Sequence, residues 1–450
     1  MTRELSRDAR RTAKEGPAGI ARRQRERLAE LVAFARENSP YYRELYDGLP
    51  DRVEDPALLP VTDKPRLMAR FDDWVTDRRV TRAKVEAFVA DPALVGHRFL
   101  GEYLVATSSG TSGLRGLYVM DRQYTGMDMV LASRAGGLLS ARDGIRLLAR
   151  GGRTAVVAAP NGHFFTVAGT ARFRLDHPRL GQRMRIFSID RPIPELVDEL
   201  NRFDPGMLSG FLGTLVLLAG EQEAGRLRIR PAVVVPGGET LSAEVRDRLA
   251  QAFGAKVRAA YAATECSYLA GGCEEGWYHV NSDWAILEPV DAEYRPTPAG
   301  EWSHTVLLSN LANQVQPFLR YDLGDSVMLR PDPCPCGRIF PAVRVQGRAL
   351  DLLSLPAADG GTIDLSPMLF GTSLDRVPGL QQYQLVQSDP CTLRVRLRPA
   401  DTTWDVVRAE LTQLLAERKV VGVTIERADE PPQREPGGKF RRVVPLRLQR

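Results

Sequence analysis

Apolar positions recur along this chain in two rhythms. Residues 19–37 (GIARRQRERLAELVAFARE) place Leu28, Leu31, Val32 and Phe34 at helical spacing. Ser39-Pro40 is expected to end that helix, because a proline pushes the residue before it out of the α region. From about 100 to 330, short apolar runs alternate with helix-period stretches, among them 154–159, 193–203, 232–235 and 242–253. That alternation predicts an α/β architecture with mixed sheets. After Asp351 the pattern changes. A loop with Pro356, Gly360 and Gly361 leads to two alternating runs, 382–387 and 392–398, which read as strands. Residues 404–418 read as an amphipathic helix and 420–427 as a third strand, together a small α+β unit. The segment EPPQREPGGKFRR has no periodicity and is expected to be an exposed loop. No internal repeat is present.

Composition narrows the class. The chain has 450 residues, 43% hydrophobic and 26% charged, ordinary for a globular protein of at least two domains. No apolar run approaches the roughly 20 residues of a membrane span. The stretch MTRELSRDARRTAKEG is charged throughout and lacks the apolar core of a secretory signal, so the cytoplasm is the expected compartment. Net charge is +5, and the charges are mixed. Without a basic block or a basic–aromatic stripe, nucleic-acid binding is not expected. Among 61 Lys and Arg only six are Lys: Lys14, Lys64, Lys84, Lys256, Lys419 and Lys439. Arginine is the default cation here, so a Lys in an unusual setting calls for a reason. The five Cys, at 266, 273, 334, 336 and 391, are an odd number and argue against a disulfide framework while leaving metal binding open.

One loop stands out. TSSGTSGLRG, Thr107 to Gly116, follows the apolar run Tyr103-Leu104-Val105-Ala106 and precedes a possible helix. Backbone amides of a Gly-rich turn together with Ser and Thr hydroxyls make a phosphate cradle. The Gly-Lys-Ser/Thr ending of a Walker A loop is missing, and a flexible linker is the competing reading. Further along come Val235-Pro236-Gly237-Gly238-Glu239 and Tyr261-Ala262-Ala263-Thr264-Glu265, each after a β-like run. Arg320-Tyr321-Asp322-Leu323-Gly324-Asp325, Gly347-Arg348, Asp351 and Gly437-Gly438-Lys439 follow. Singly, each could be an ordinary turn or surface segment.

Taken in order, these motifs resemble the adenylate-forming ligases, specifically the phenylacetate–CoA ligase family. The resemblance covers nearly the whole chain and begins at RLAELVAFARENSPYYRELYDGLP and LLPVTDKPRLMARF. It implies a large N-terminal domain, 1–350, with mixed sheets and helices that binds ATP and the acid, and a small mobile α+β lid domain, 351–450. Ser108, Ser109, Gly110, Thr111, Ser112 and Gly113 match the loop that holds the β- and γ-phosphates. Gly237, Gly238 and Glu239 match the segment packed on adenine, and Tyr261 would stack on the base. Thr264 would bond the α-phosphate and Glu265 would hold Mg²⁺. Asp325 would accept from the ribose hydroxyls, as an acceptor-only carboxylate can. Arg348 matches an Arg near the ribose, Asp351 the hinge, and Lys439 the catalytic Lys of the lid. A compact ammonium suits the space between carboxylate and α-phosphate better than a planar guanidinium.

The chain departs from the family pattern. Thr-Ser stands where Thr-Thr is commoner in the loop, Leu114-Arg115 where Lys-Pro is usual, and Tyr-Ala-Ala where Tyr-Gly-x is usual. That replacement adds a methyl beside the acyl pocket, where Ala263 is a candidate lining residue. His163, Phe164 and Phe211 are further pocket candidates, although aromatic residues are more often core. Cys273, His279, Cys334 and Cys336 form a set suited to one structural Zn²⁺, an arrangement that members of the family often carry. The Cys-x-Cys spacing is tighter than usual, and four unrelated residues are the plain alternative. Cys266 and Cys391 read as core thiols.

The function so implied is activation of a carboxylic acid, aromatic by the resemblance, with ATP and Mg²⁺, followed by transfer to CoA. The partner is a small molecule, with no nucleic acid or membrane, and a homodimer is left open. Transfer to an amine, a carrier protein or another nucleophile is the alternative. A non-catalytic nucleotide-binding protein would not need Glu265, Asp325 and Lys439 together. A zinc hydrolase would need an open metal position, which four protein ligands close.

Overall fold

Five parallel strands organise the middle of the chain, in the spatial order Met184–Ser188, Thr154–Ala158, Met207–Phe211, Val233–Gly237 and Lys256–Val257. The computed structural model describes residues 2–108, 116–134, 141–159, 162–238, 241–348, 353–358, 360–365, 367–374, 377–399, 403–434 and 440–446. Parallel neighbours require crossovers, and helices Phe165–Asp176, Ile193–Phe203, Leu212–Glu223 and Ala243–Phe253 supply them. Every residue of Thr154–Ala158 is buried, which is why it reads in the sequence as a continuous apolar run. Leu208, Leu212, Leu215 and Val234 join Val157 and Phe187 in the core beneath. Ser242 caps the last of these helices by accepting from the Val245 N–H at 3.3 Å, and Gly254 ends it at φ 57°. From Thr154–Ala158 the chain first pairs outward with Met184–Ser188 and then returns to the other side with Met207–Phe211. The carboxyl ends of the two strands flanking that reversal open a crevice.

Two antiparallel sheets lie beyond it. One has the order Asp325–Leu329, Ala342–Arg348, Tyr278–Val280, Cys266–Gly272, Ala260–Ala263; the other is Ala285–Val290, Thr305–Asn310, Phe318–Asp322. The hydroxyl-rich loop connects Leu104–Thr107 to Leu117–Met120, which pair antiparallel from Thr107↔Leu117 to Leu104↔Met120. It therefore closes a hairpin, and the helix expected after it, Arg122–Arg134, comes only after the second strand. The N-terminal helix runs Thr2–Asn38 and bends at Gly16 (φ 71°), just before Pro17. Ser39 starts the next helix, Pro40–Leu45, by capping the Tyr42 N–H. Tyr42 Oη–H of this helix and Trp74 Nε1–H of helix Phe71–Trp74 both donate to the Pro317 carbonyl, at 2.8 and 2.7 Å, and so lock these two helices onto the three-stranded sheet.

A separate C-terminal domain contains the sheet Thr424–Arg427, Thr392–Arg398, Gln382–Asp389, Val443–Val444, with helices Pro367–Leu374 and Trp404–Glu417 closing its own core around Leu385, Val395 and Leu411. The segment expected as an exposed loop does not behave as one throughout. Phe440 is 2% exposed and packs over Gly213, where an added Cβ would meet its ring at 3.1 Å. Glu430 binds Arg394 and Arg396. A segment without periodicity can still bury single side chains, because periodicity reports only regular elements. Cys391, expected in a core, is exposed at the turn between two strands; Cys266 is buried.

One buried charge ties the N-terminal helix to the rest. Asp283, fully buried, receives Arg134 Nη2 at 2.7 Å and lies 3.6 Å from Arg27 Nη1. Arg27 stacks over Trp284 at 3.5 Å, and Asp8 pairs with both Arg23 and Arg27. Removing one partner of a buried pair leaves an uncompensated charge, which costs about 3–5 kcal/mol. Arg134→Met is expected to lower the unfolding free energy by about 3 kcal/mol in urea titration. Arg134→Lys is expected to recover part of that loss, and equal stability of Arg134→Met and wild type would show that the network is inert.

Candidate active site

The carboxyl ends of the parallel strands face the antiparallel sheets across a cleft of about 2200 Å³. One wall is Val157-Ala158-Ala159, Gly210-Phe211 and Pro236-Gly237-Gly238, the strand ends at the reversal. The opposite wall is Tyr261 to Glu265, with Ser267 and Asp325. Ser108 and Lys64 lie at one end, and Phe440 to Val443 of the C-terminal domain close another side.

The ends of the hydroxyl-rich loop are held. The Ser108 N–H donates to the Gly116 carbonyl and the Gly116 N–H to Ser108 Oγ, both at 3.2 Å. A Cβ at Gly116 would come within 2.5 Å of the Tyr118 ring, so glycine is required there. Lys64 Nζ donates to Ser108 Oγ at 3.2 Å. Ser109, Gly110, Thr111, Ser112 and Gly113 lie outside the described residues, as do Glu239, Asp351 and Lys439. Arg348 is described only as backbone, in register opposite Asp325.

The second and third motifs meet in the cleft. Gly238 takes φ 80°, and a Cβ on it would strike Phe211 at 2.6 Å. Tyr261 Oη–H donates to Asp325 Oδ2 at 2.7 Å, so the residues read as base-stacking and ribose-binding form one unit. Thr264 lines the cleft. Glu265 is nearly buried, and three elements hold it: Tyr118 Oη–H donates to its Oε1 at 2.8 Å, Tyr321 Oη–H at 3.1 Å, and Asn310 Nδ2 binds its carbonyl at 2.8 Å. Phe164, Phe211 and Ala263 also line the cleft. His163 is placed elsewhere: it is fully buried, its Nε2 is 3.2 Å from the Asp91 carbonyl oxygen, and its ring packs 5.4 Å from that of Phe88.

Sequence reasoning passed over Lys64, Tyr118, Asp128 and Ser267. For Lys64 a signal existed, the scarcity of Lys in this chain. Asp128 gave none, since one Asp in a helical segment ordinarily faces water. In the fold it faces the cleft and accepts from Ser267 Oγ–H. Burial pushes its carboxyl up to about 7, against the pull of that hydrogen bond.

At the border of the cleft, whose lining includes Cys273, the residues Cys273, His279, Cys334 and Cys336 converge. Their ligand atoms all lie within 4.8 Å of one another. Cys273 Sγ and Cys334 Sγ are 3.8 Å apart, and Cys336 Sγ is 3.1 Å from His279 Nε2. A tetrahedral site with Zn–S bonds of about 2.3 Å has S···S edges of about 3.8 Å, so the spacing fits the ion. His279 Nδ1 is 2.9 Å from the Phe340 carbonyl oxygen, which selects the tautomer that leaves Nε2 free to ligate.

No protein-family model matches the chain. Among curated proteins, Protein CapK of Staphylococcus aureus is 26% identical over 135 residues, which span 30% of this chain and 28% of CapK. Among solved structures, 2-hydroxyisobutyryl-CoA ligase in the postadenylation state superposes with a TM-score of 0.68 at 20% identity, covering 97% of this chain and 90% of the ligase. A benzoate CoA ligase from Burkholderia xenovorans gives 0.52 at 16% identity, over 76% of this chain and 67% of that one. At such identities the architecture is what is shared, and the chain has the fold of the adenylate-forming enzymes, with its separate C-terminal domain.

Proposed function

We propose that this protein activates a small carboxylic acid with ATP, giving an acyl-adenylate and pyrophosphate, and then passes the acyl group to CoA. The observation that carries the reading is the single cleft into which the fold brings Ser108, Gly237, Gly238, Tyr261, Thr264, Glu265 and Asp325 from separate stretches of sequence. The likeness in fold to acid–CoA ligases supports the same reading.

In this reading the acid's carboxylate oxygen attacks the α-phosphorus and the bond to the β-phosphate oxygen breaks. Negative charge then builds on the phosphate oxygens. The loop from Ser108 to Gly113 holds the β- and γ-phosphates through backbone N–H groups and hydroxyls, with Lys64 beside it as a further cation. Thr264 bonds the α-phosphate. Glu265, oriented by Tyr118 and Tyr321, is the residue to hold Mg²⁺, which would supply electrostatic relief to the phosphates. Tyr261 and Asp325, already bonded to each other, take the base and the ribose, with Gly238 and Glu239 along the adenine and Arg348 near the sugar. Residues 1–350 form the ATP- and acid-binding domain, and 351–450 swing about Asp351 so that the thiol reaches the adenylate. Phe164 and Phe211 favour an aromatic acid. Zinc at Cys273, His279, Cys334 and Cys336 would join strands Cys266–Gly272 and Tyr278–Val280 to the loop after Asp325–Leu329, a structural role because four protein ligands close the ion.

Three outcomes check these assignments. Purified protein with ATP, Mg²⁺ and a panel of aryl and alkyl acids is expected to release AMP and pyrophosphate in step with the acid consumed. Stoichiometric ADP and phosphate would overturn the reading, and acyl transfer to an added amine in place of CoA would reassign the acceptor. Metal analysis is expected to find one zinc per chain, lost in Cys334→Ser together with thermal stability; a metal-free protein of unchanged stability after expression in zinc-supplemented medium would remove the site. Lys439→Ala is expected to slow adenylation on the order of 10²- to 10³-fold, because a cation at the α-phosphate acts mainly in the transition state. The same variant is expected still to convert a supplied acyl-adenylate to the thioester, and wild-type adenylation rates would place Lys439 outside the reaction.

A further inference from the structure

We propose that the acid this cleft takes carries an amino group, and that Asp128 receives its ammonium. The inference rests on the adenylation reading only for the identity of the cleft as an acid site.

Asp128 belongs to helix Arg122–Arg134 and presents its carboxyl to the cleft beside Thr125, Met129 and Tyr268. Its Oδ1 accepts from Ser267 Oγ–H. The Tyr124 hydroxyl lies 2.8 Å from Ser267 Oγ and accepts the Ser267 N–H at 2.8 Å. With Ser267 Oγ–H committed to Asp128, the Tyr124 hydroxyl donates to Ser267 Oγ, and the donors of this chain are used up. Among the described residues nothing donates to Asp128 Oδ2 and no cation pairs with the group.

That isolation is unusual in this molecule. Asp283 is matched by Arg134 and Arg27, Asp143 by Lys256 at 3.1 Å, and Glu288 by Arg320 at 3.3 Å. Asp121 accepts backbone N–H groups of Tyr124 and Gln314 at 2.7 Å each. The chain supplies a cation or backbone donors to these carboxylates, two tyrosine hydroxyls to Glu265, and a single hydroxyl to Asp128. Enclosing a carboxylate without a cation is costly, and an asparagine or leucine would fill the same place without that cost. An ammonium supplies what is missing, a positive charge and N–H donors aimed at a free oxygen. A hydroxyl on the acid would occupy the oxygen but leave the charge uncompensated. The raised carboxyl described above fits this, since it is the state of the group before a cation arrives.

Placement agrees. Ser267 follows Glu265 by two residues, so their backbones are no more than about 7 Å apart. Asp128 therefore lies near the end of the cleft where the acid's carboxylate would meet Thr264 and Glu265, on the side of Tyr268, while Tyr261 and Asp325 are bonded to each other in the nucleotide part of the cleft.

The test compares acids matched in shape: alanine, β-alanine, 4-aminobutyrate and 4-(aminomethyl)benzoate, each against its analogue with hydrogen or hydroxyl in place of the amine. ATP–pyrophosphate exchange reads activation without involving CoA, and calorimetric titration without ATP reads binding alone. Wild type is expected to prefer at least one amine over both analogues on the order of 10²-fold in kcat/KM, because a site built to pair a polar group rejects the analogue that lacks it. The preference is expected to appear mostly in KM. Asp128→Asn keeps the shape and the acceptor for Ser267, and in it the ratio of amine to analogue is expected to fall toward one. A wild-type ratio near one, or one that Asp128→Asn leaves unchanged, overturns the subsite while leaving adenylation standing. Amine binding that depends on Asp128 without any exchange supports the subsite and overturns adenylation. Absence of both binding and exchange for every acid overturns both.

Discussion

The carboxylate of Glu265 is where the separate parts of the large domain meet. Tyr118 reaches it from the hairpin that carries the hydroxyl-rich loop, Tyr321 from the three-stranded sheet, and Asn310 holds its backbone from the same sheet. A carboxylate this deeply enclosed needs partners for its lone pairs, and these partners lie more than forty positions away in sequence. Satisfying one side chain thus sets the loop, the strand Cys266–Gly272 and the sheet in a fixed relation. The cleft exists between that assembly and the ends of the parallel strands.

The wall of parallel strands contributes differently. Two of its strands end in small residues, Ala158-Ala159 and Gly237-Gly238, and the one between them ends in Gly210-Phe211, so backbone and the Phe211 ring face the cavity. Gly238 and Phe211 show how tight that edge is, since no Cβ fits between them. One wall therefore offers backbone and space while the other offers carboxylates and hydroxyls. Lys64 is a cation held at the loop end, and the Asp128 carboxyl with Ser267 lines the cleft beside strand Cys266–Gly272. The activation of an acid with ATP proposed above would use that polarity, with cations toward the phosphates and selectivity toward the acid.

Much of this was legible in the sequence for a simple reason. Regular elements write their period into the chain. The strand at 154–158, the helices Ile193–Phe203 and Ala243–Phe253, and the strands Gln382–Asp389 and Thr392–Arg398 all lie where periodicity puts them. The Gly-Gly turn, the Tyr-to-Glu segment and the Asp325 turn were legible only in their order along the chain and through the resemblance it carries, since each by itself could be an ordinary turn. The Cys and His set was visible by residue type, although its closeness in space was not.

What the tertiary structure alone decided concerns single side chains. His163 looked like a pocket residue by its aromatic neighbours, yet packing against Phe88 buries it away from the cleft. Cys391 looked like core and is exposed in a turn, while Phe440, in a segment that looked like loop, is buried. Asp128 had the appearance of a surface residue until helix Arg122–Arg134 was laid along strand Cys266–Gly272, well over a hundred positions later. Sequence determines what is periodic and local, because local backbone preference and side-chain spacing act within a few residues. The environment of an individual charge is a property of whichever distant segments pack around it, and only the folded chain brings them there.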